Sequence, residues 1–263
     1  PPAVLVLPRV TNKPSPPDSA AAPEMRNWLI AAGFSEAFMG ETESLAKALS
    51  EEIELPVVPL RDSVLFPRSV SPLYVTRERL IRSLDEAGQI GMALVVTQRN
   101  SQVEDPKPSD LYKFGTVAAI GRNMRLPNGS QGVLAKGIAR AEIIEWTAST
   151  PFPLARVRII REPERRSASL EALMRANLAL FEEVVSFDRR LPEDAHVYAM
   201  NVETPGWLAD LIAQTIVLPL PERQALLEVA EPGTRLQRLS KTLAAQLDVL
   251  ELEDEVYEKA EKE

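Results

Sequence analysis

The hydrophobic period of this chain switches from mainly strand-like to helical at Pro163, and that change constrains the fold more than any single motif. Before it, apolar residues alternate or run on continuously, as in half-buried and fully buried strands. After it they recur every three or four residues, as on helices packed along one stripe. Leu55 to Leu60 is a short apolar run whose prolines, Pro56 and Pro59, favour an edge or the end of a strand. Thr76 has N-cap chemistry, and Leu80, Ile81 and Leu84 keep helical spacing up to Gly88, the expected stop. Ile90 to Thr97 reads as a buried strand. Val117 to Leu126 leads into Asn128-Gly129, a strong hairpin signal, and Val133 to Trp146 and Phe152 to Ile160 continue the β pattern. In the last strand Ala155, Val157 and Ile159 share one face, with Arg156 and Arg158 on the other.

Beyond Pro163, Leu170, Leu173, Met174, Phe181, Val184 and Val185 line one helix face, and Thr204-Pro205 offers an N-cap followed by proline at the first helical position. Leu236, Leu239, Leu243, Leu250, Tyr257 and Ala260 recur at heptad spacing on a last helix expected to start at Thr234. The expected class is α+β: a compact β domain with one or two helices, then a helical bundle with a long final helix. Residues 1–23, rich in Pro, Ala and Ser, read as a flexible leader. Residues 24–52 read as a short helical extension of unassigned purpose, 53–163 as the β domain and 164–263 as the helical part.

Composition removes several functions. With 263 residues the chain can bury a core without staples. It has no cysteine and one histidine, His196, so a disulfide framework, a Cys nucleophile and a Cys/His zinc site are excluded. No stretch approaches the roughly 20 apolar residues of a membrane helix, and a cytoplasmic protein is the default. Neither a Gly-Lys pair nor G-x-G-x-x-G occurs, so no phosphate loop of those kinds is available. Carboxylate pairs such as Glu182/Glu183, and the acids from Glu251 to Glu258, read as solvated charge. No catalytic residue, cofactor site or metal site is expected. The net charge of -8 opposes a phosphate backbone, although the arginines from Arg156 to Arg166 keep RNA binding as an alternative.

Several segments carry a resemblance. Leu55-Pro-Val-Val-Pro-Leu-Arg-Asp-Ser-Val-Leu-Phe-Pro67, with Pro72-Leu73-Tyr74-Val75 and Arg77-Glu78, resembles the opening of the N-terminal substrate-binding domain of Lon proteases. Val95 to Arg99, Asp110 to Val117, Leu126-Pro-Asn-Gly129, Pro205-Gly206-Trp207-Leu208-Ala209-Asp210, Leu226 to Glu228 and Val249 to Glu253 are similar to later parts of that family, in its order. The resemblance implies a PUA-like β-barrel or sheet domain, then a helical subdomain and a long helix. It also implies recognition of unfolded or damaged polypeptides for a hexameric ATP-dependent Ser-Lys protease. ATP and Mg would belong to an ATPase domain outside this chain, which then reads as a fragment rather than a free-standing module. Arg68, Ser69 and Ser71 stand where the family often has apolar residues or histidine, and Trp207 where a polar or basic residue is common. Apolar residues at loop and helix ends are the candidates for polypeptide binding: Leu65, Phe66, Tyr112, Met124 and Trp207. Trp207 lies about 100° from Leu208 on the helical wheel, at the border of the apolar stripe.

Overall fold

In the computed structural model the described residues are 46–47, 49–125, 131–163 and 167–261, with backbone alone for 122–125 and 255–261. The β half is organised by one long strand. β1 spans Glu52–Leu60, β2 Val70–Val75, β3 Met92–Gln98, β4 Leu111–Arg125, β5 Gln131–Ala148 and β6 Leu154–Ile160. β5 pairs antiparallel with β2 through Gln131 to Lys136, with β4 through Gln131 to Glu142, and with β6 from Arg140 to Ala148. Because β6 also pairs β1, β1 pairs β3 in parallel and β3 pairs β4, the ring β5-β4-β3-β1-β6 closes on itself and leaves β2 outside. Closure removes the free edges that an open sheet would expose. The register shifts of β5 near Glu145 and Ala148 bend it from one neighbour to the next.

The prolines of β1 therefore sit in an interior strand rather than an edge, and the pairing explains why they are tolerated. Glu52 to Pro56 pair with β6 alone, and Val57 to Leu60 with β3 alone, so each half of β1 has one unpaired side. The Val57 N–H points to the β6 side, where it meets the Pro153 carbonyl at 2.9 Å. By alternation the position of Pro59 faces that same side, beyond the end of β6, so its missing N–H leaves no ladder partner unsatisfied.

Helix α1, Glu78–Ile90, packs against this sheet through Leu80, Leu84 and Ala87. Its ends differ from the sequence reading. Arg77 rather than Thr76 is the extended N-cap residue, and the helix runs past Gly88 to Gly91, which has φ +83 and donates to the Ala87 carbonyl at 2.7 Å. Gly91 takes the left-handed conformation that closes a helix, whereas Gly88 stays helical. The turn expected at Asn128-Gly129 lies outside the described residues; β4 and β5 remain paired up to Arg125 and Gln131.

Consecutive residues of the β1–β2 connection feed two different cores. Leu65, 3% exposed, joins Val58, Leu73, Leu84, Val95 and Ala118 in the barrel, and Phe66, fully buried, packs with the helices against Phe181, Ile212 and Leu236. Burying two such side chains contributes roughly 3–6 kcal/mol in all. The connection is pinned by Thr97 Oγ1 donating to the Ser63 carbonyl at 2.9 Å and Thr116 Oγ1 donating to the Leu65 carbonyl at 2.6 Å.

The helices are α2 (Ala168–Phe187), α3 (Ala195–Met200), α4 (Pro205–Thr215), α5 (Leu220–Leu227) and α6 (Pro232–Glu261). Ser167 caps α2 by accepting from the Leu170 N–H at 3.1 Å. α2 and α6 lie side by side, and buried Asn177 links them by donating to the Leu236 carbonyl and to Ser240 Oγ. The heptad leucines of α6, Leu236, Leu239, Leu243 and Leu250, are all buried, as is Leu247 beside them; Val249 and Leu252 face outward, and the side chains of Tyr257 and Ala260 lie outside the described residues. α6 begins two residues before Thr234, because the Glu231 carboxylate just outside it accepts from the backbone of Gly233 and from Thr234.

Candidate functional site

A cleft of about 810 Å³ opens where β5 and β6 face the first turns of α2, α4 and α6. Its floor is a buried charge cluster. Arg140 of β5 donates to Glu162 at 2.6 Å, to the Leu227 carbonyl at 2.9 Å and to Asp210 of α4. Arg235 of α6 donates to the same Glu162 oxygen at 2.5 Å, to the Val229 carbonyl at 2.8 Å and to the Gly206 carbonyl at 3.3 Å, with Nε 3.4 Å from Asp210. Two guanidinium groups thus share two carboxylates, tying β5, the end of β6, α4 and α6 together. Burial pushes the Asp210 carboxyl above the ordinary range, against the pull of Arg140 and Arg235, and burial lowers Arg235. The cluster joins all four elements, so it holds the walls together.

Gly206 shows how tightly those walls meet. A Cβ there would lie 2.0 Å from Glu162 Oε2, so the carboxylate sits against the first turn of α4. Its charge complements the positive end of the helix. Thr204, the expected cap, has extended backbone but makes no capping bond, and its Oγ1 is buried without a partner among the described residues.

Trp207 follows the cleft-lining Gly206 and meets the cleft through Arg68. Arg68, which lines the cleft, carries its guanidinium over the Trp207 ring, 5.6 Å from the centroid. Arg68 has φ +64 as the third residue of the turn Phe66-Pro67-Arg68-Ser69, closed by the Ser69 N–H to the Phe66 carbonyl at 3.2 Å. Proline second and a positive φ third describe a type II turn, a place where glycine is usual. The turn is clamped to β5 by the Arg68 N–H to the Gly137 carbonyl and the Gly137 N–H to the Ser69 carbonyl, both at 2.9 Å. Nearby Lys136 is lowered by burial and then by Arg68.

The five candidate residues therefore separate. Leu65 and Phe66 are corrected from binding residues to core residues, because the turn that looked exposed before Pro67 is folded between two cores. Tyr112 is half-buried beneath Arg99, whose guanidinium lies 4.7 Å from its ring, and it does not line the cleft. The Met124 side chain lies outside the described residues. Trp207 does not line the cleft either; it is half-buried against the helical core, at the border of the apolar stripe, and reaches the cleft only through its contact with Arg68. Among the arginines considered for RNA, Arg156 pairs with Glu145 at 3.1 Å, Arg158 with Glu52 at 3.2 Å, and Arg161 donates to the Leu49 carbonyl at 2.9 Å. The two carboxylates offset the charges of Arg156 and Arg158, which a phosphate backbone would require. Arg165 and Arg166 lie outside the described residues.

His196 Nε2 lies 3.6 Å from Glu182 at the surface of the helical half. Among the described residues no group of three or more metal-ligating side chains converges, and no helix is long and apolar enough to cross a membrane.

Comparison with known proteins covers both halves. The family model of the ATP-dependent protease La (LON) substrate-binding domain matches residues 54–245. A Lon protease 2 of Herpetosiphon aurantiacus is 42% identical over 212 residues, which are 80% of this chain and 26% of that protein. A Lon protease of Heliobacterium modesticaldum is 35% identical over 226 residues, 86% of this chain and 27% of that protein. Among solved structures, the N-terminal domain of Mycobacterium avium complex Lon protease superposes with a TM-score of 0.58 at 23% identity, over 73% of this chain and 98% of that one, a likeness of fold.

Proposed function

The chain belongs to the Lon substrate-binding domain family, and from that premise we propose that it recognises unfolded or damaged polypeptides on behalf of a Lon-type ATP-dependent protease. It spans about a quarter of the length of the curated relatives it matches. ATP hydrolysis and peptide cleavage are then tasks of other parts of such a protein, and this chain binds without cutting. The observation that carries the reading is the family match across barrel and helices together. The geometry supports it: an open cleft, held by buried ion pairs, with Trp207 beside it under the cleft-lining Arg68.

The shape suits weak capture. A single cleft of this size engages one short stretch of an unfolded chain, and several copies in one assembly would raise the effective concentration of the second contact. Affinity of one copy is expected in the micromolar range or weaker, on the order of -8 kcal/mol at most.

The test uses a chain in which Trp207 is the one remaining tryptophan, titrated with a permanently unfolded protein and with the same protein in its native state. Binding of the unfolded form, with a change in Trp207 emission and slower amide exchange at the start of α4, is the expected result. Equal binding of native and unfolded forms would remove the proposal. Protease or ATPase activity that stays with the purified chain would remove the division of labour.

A further inference from the structure

The helical half carries a second surface that neither the cleft nor the core uses. α3 has six residues, and three of them are large apolar side chains turned to solvent: Val197, Tyr198 and Met200, exposed by 48%, 45% and 56%. One exposed apolar side chain is ordinary, but three on a helix of six form a patch, which marks an interaction site. α3 is held to the core by its small residues, buried Ala199 and half-buried Ala195, and presents its larger apolar ones outward.

The chain around that patch is predominantly acidic. Between Glu182 and Glu203 six carboxylates (Glu182, Glu183, Asp188, Glu193, Asp194 and Glu203) stand against two arginines, a net charge of -4, half of the -8 of the whole chain. Arg190 is occupied by Asp188, with contacts of 2.7 and 2.8 Å, which leaves Arg189 as the other cation of the stretch. Glu182 is placed beside α3 by its 3.6 Å approach to His196, Glu193 and Asp194 flank α3 and are exposed, and Glu203, also exposed, is shared with the cleft.

We propose that α3 is a docking face for polypeptide segments in which large apolar residues stand beside lysine or arginine. The inference rests on the polypeptide-binding reading above and adds the place and the charge preference. An apolar side chain of the segment covers Val197 and Met200, and its basic neighbours meet the surrounding carboxylates. Charge complementarity of this kind sets specificity and rate of encounter more than depth of binding, as suits a module that must release what it captures. A nucleic acid is disfavoured by the same carboxylates.

The test uses the whole chain and fluorescent peptides of equal length and equal leucine and phenylalanine content, one with lysine and one with glutamate at the intervening positions. The lysine peptide should bind about tenfold more tightly at low salt, with the gap narrowing as ionic strength rises. The variant carrying Val197→Ser and Met200→Ser should lose that advantage while retaining its circular dichroism and melting temperature. If both peptides bind equally, or the lysine peptide binds the variant as tightly as the parent, the α3 proposal fails and the polypeptide-binding reading stands. If no unfolded chain binds at all, both fail. A dimer in sedimentation that the variant dissolves would show a second copy on this face and would also overturn it.

Discussion

Arg68 and Trp207 meet across the boundary between barrel and helices, guanidinium over ring at 5.6 Å. The contact depends on a backbone conformation that disfavours arginine: φ +64 costs roughly 1–2 kcal/mol for a residue with a Cβ. A half-exposed cation–π contact returns about 0.5–1 kcal/mol. Arg68→Gly should therefore leave stability nearly unchanged, since it releases strain and contact together. Arg68→Ala, which keeps the strain and loses the contact, should lower it by about 1 kcal/mol. Urea midpoints measure both, and a cycle with Trp207→Leu should return a coupling of about 0.5–1 kcal/mol. No coupling would mean that the two side chains are neighbours without attraction.

Gly137 holds the same turn from the other side. A Cβ at this position would lie 2.1 Å from the Phe66 carbonyl oxygen, a backbone atom that cannot step aside alone. Gly137→Ala must push the turn off β5, and Phe66 with it. A loss of about 2–4 kcal/mol in equilibrium unfolding is expected. Because Phe66 belongs to the helical core, melting of the helical half should move with that of the barrel.

Much of this architecture is legible in the sequence, and the rest fails for identifiable reasons. The change of period at Pro163 falls between β6 and α2, and the alternation Ala155, Val157, Ile159 gives the buried face of β6 correctly. Ring closure is not legible, since it depends on β5 serving three neighbours at once through bends that no local pattern encodes. The burial of Leu65 and Phe66 is a tertiary outcome, because a residue pair before proline in a turn carries no local sign of two cores. Arg140, Glu162, Asp210 and Arg235 are scattered over the sequence and read singly as surface charge. The α3 patch escapes for the opposite reason: six residues are too few for a period to show. The half-buried place of Trp207 at the border of its apolar stripe is legible, because it depends only on its own helix.

The charge cluster should behave as a unit. Removing one cation leaves buried carboxylates short of a partner, at a cost of about 3–5 kcal/mol. Arg140→Met is expected to fall in that range, since it strips Asp210 and Glu162 of one guanidinium each. The double change Arg140→Met with Asp210→Leu should regain a large part of the loss, because the remaining pair, Arg235 and Glu162, stays balanced. Additive losses in the double variant would contradict a shared network.

Acid should weaken the start of α6. Hydrogen bonds from the Thr234 side chain and backbone hold Glu231 below the ordinary carboxylate value of 4.5. A carboxyl with a lowered folded pKa contributes fully above its unfolded value, and the contribution is lost as pH falls through the folded one. Asp188, lowered by the side-chain bond from Arg190, acts in the same direction. Asp210, raised by burial, acts in the opposite direction, favouring the native state as it takes up a proton. Comparing the parent with Glu231→Gln cancels the other two groups. The stability gap between them should be constant at neutral pH and shrink as the pH drops below about 4.5. A gap that does not depend on pH would show that Glu231 is not a charged cap.

The last helix should divide into a packed part and a dispensable part near Leu250. Up to that residue each heptad leucine is buried, and Leu243 is completely so. At Val249 and Leu252 the outward face is 54% and 63% exposed, and from Glu251 onward acidic residues dominate the sequence. A helix of that composition contributes to folding only where tertiary contacts support it. Deleting residues 254–263 removes none of the buried leucines, so the melting temperature should hardly change. Leu243→Asp puts an unpaired carboxylate among Phe181, Ile212 and Leu239, and a loss of about 4 kcal/mol or more follows from that burial. Thermal and urea unfolding of the two variants side by side decide the point. A deletion that unfolds the chain, or a silent Leu243→Asp, would place the division elsewhere along α6.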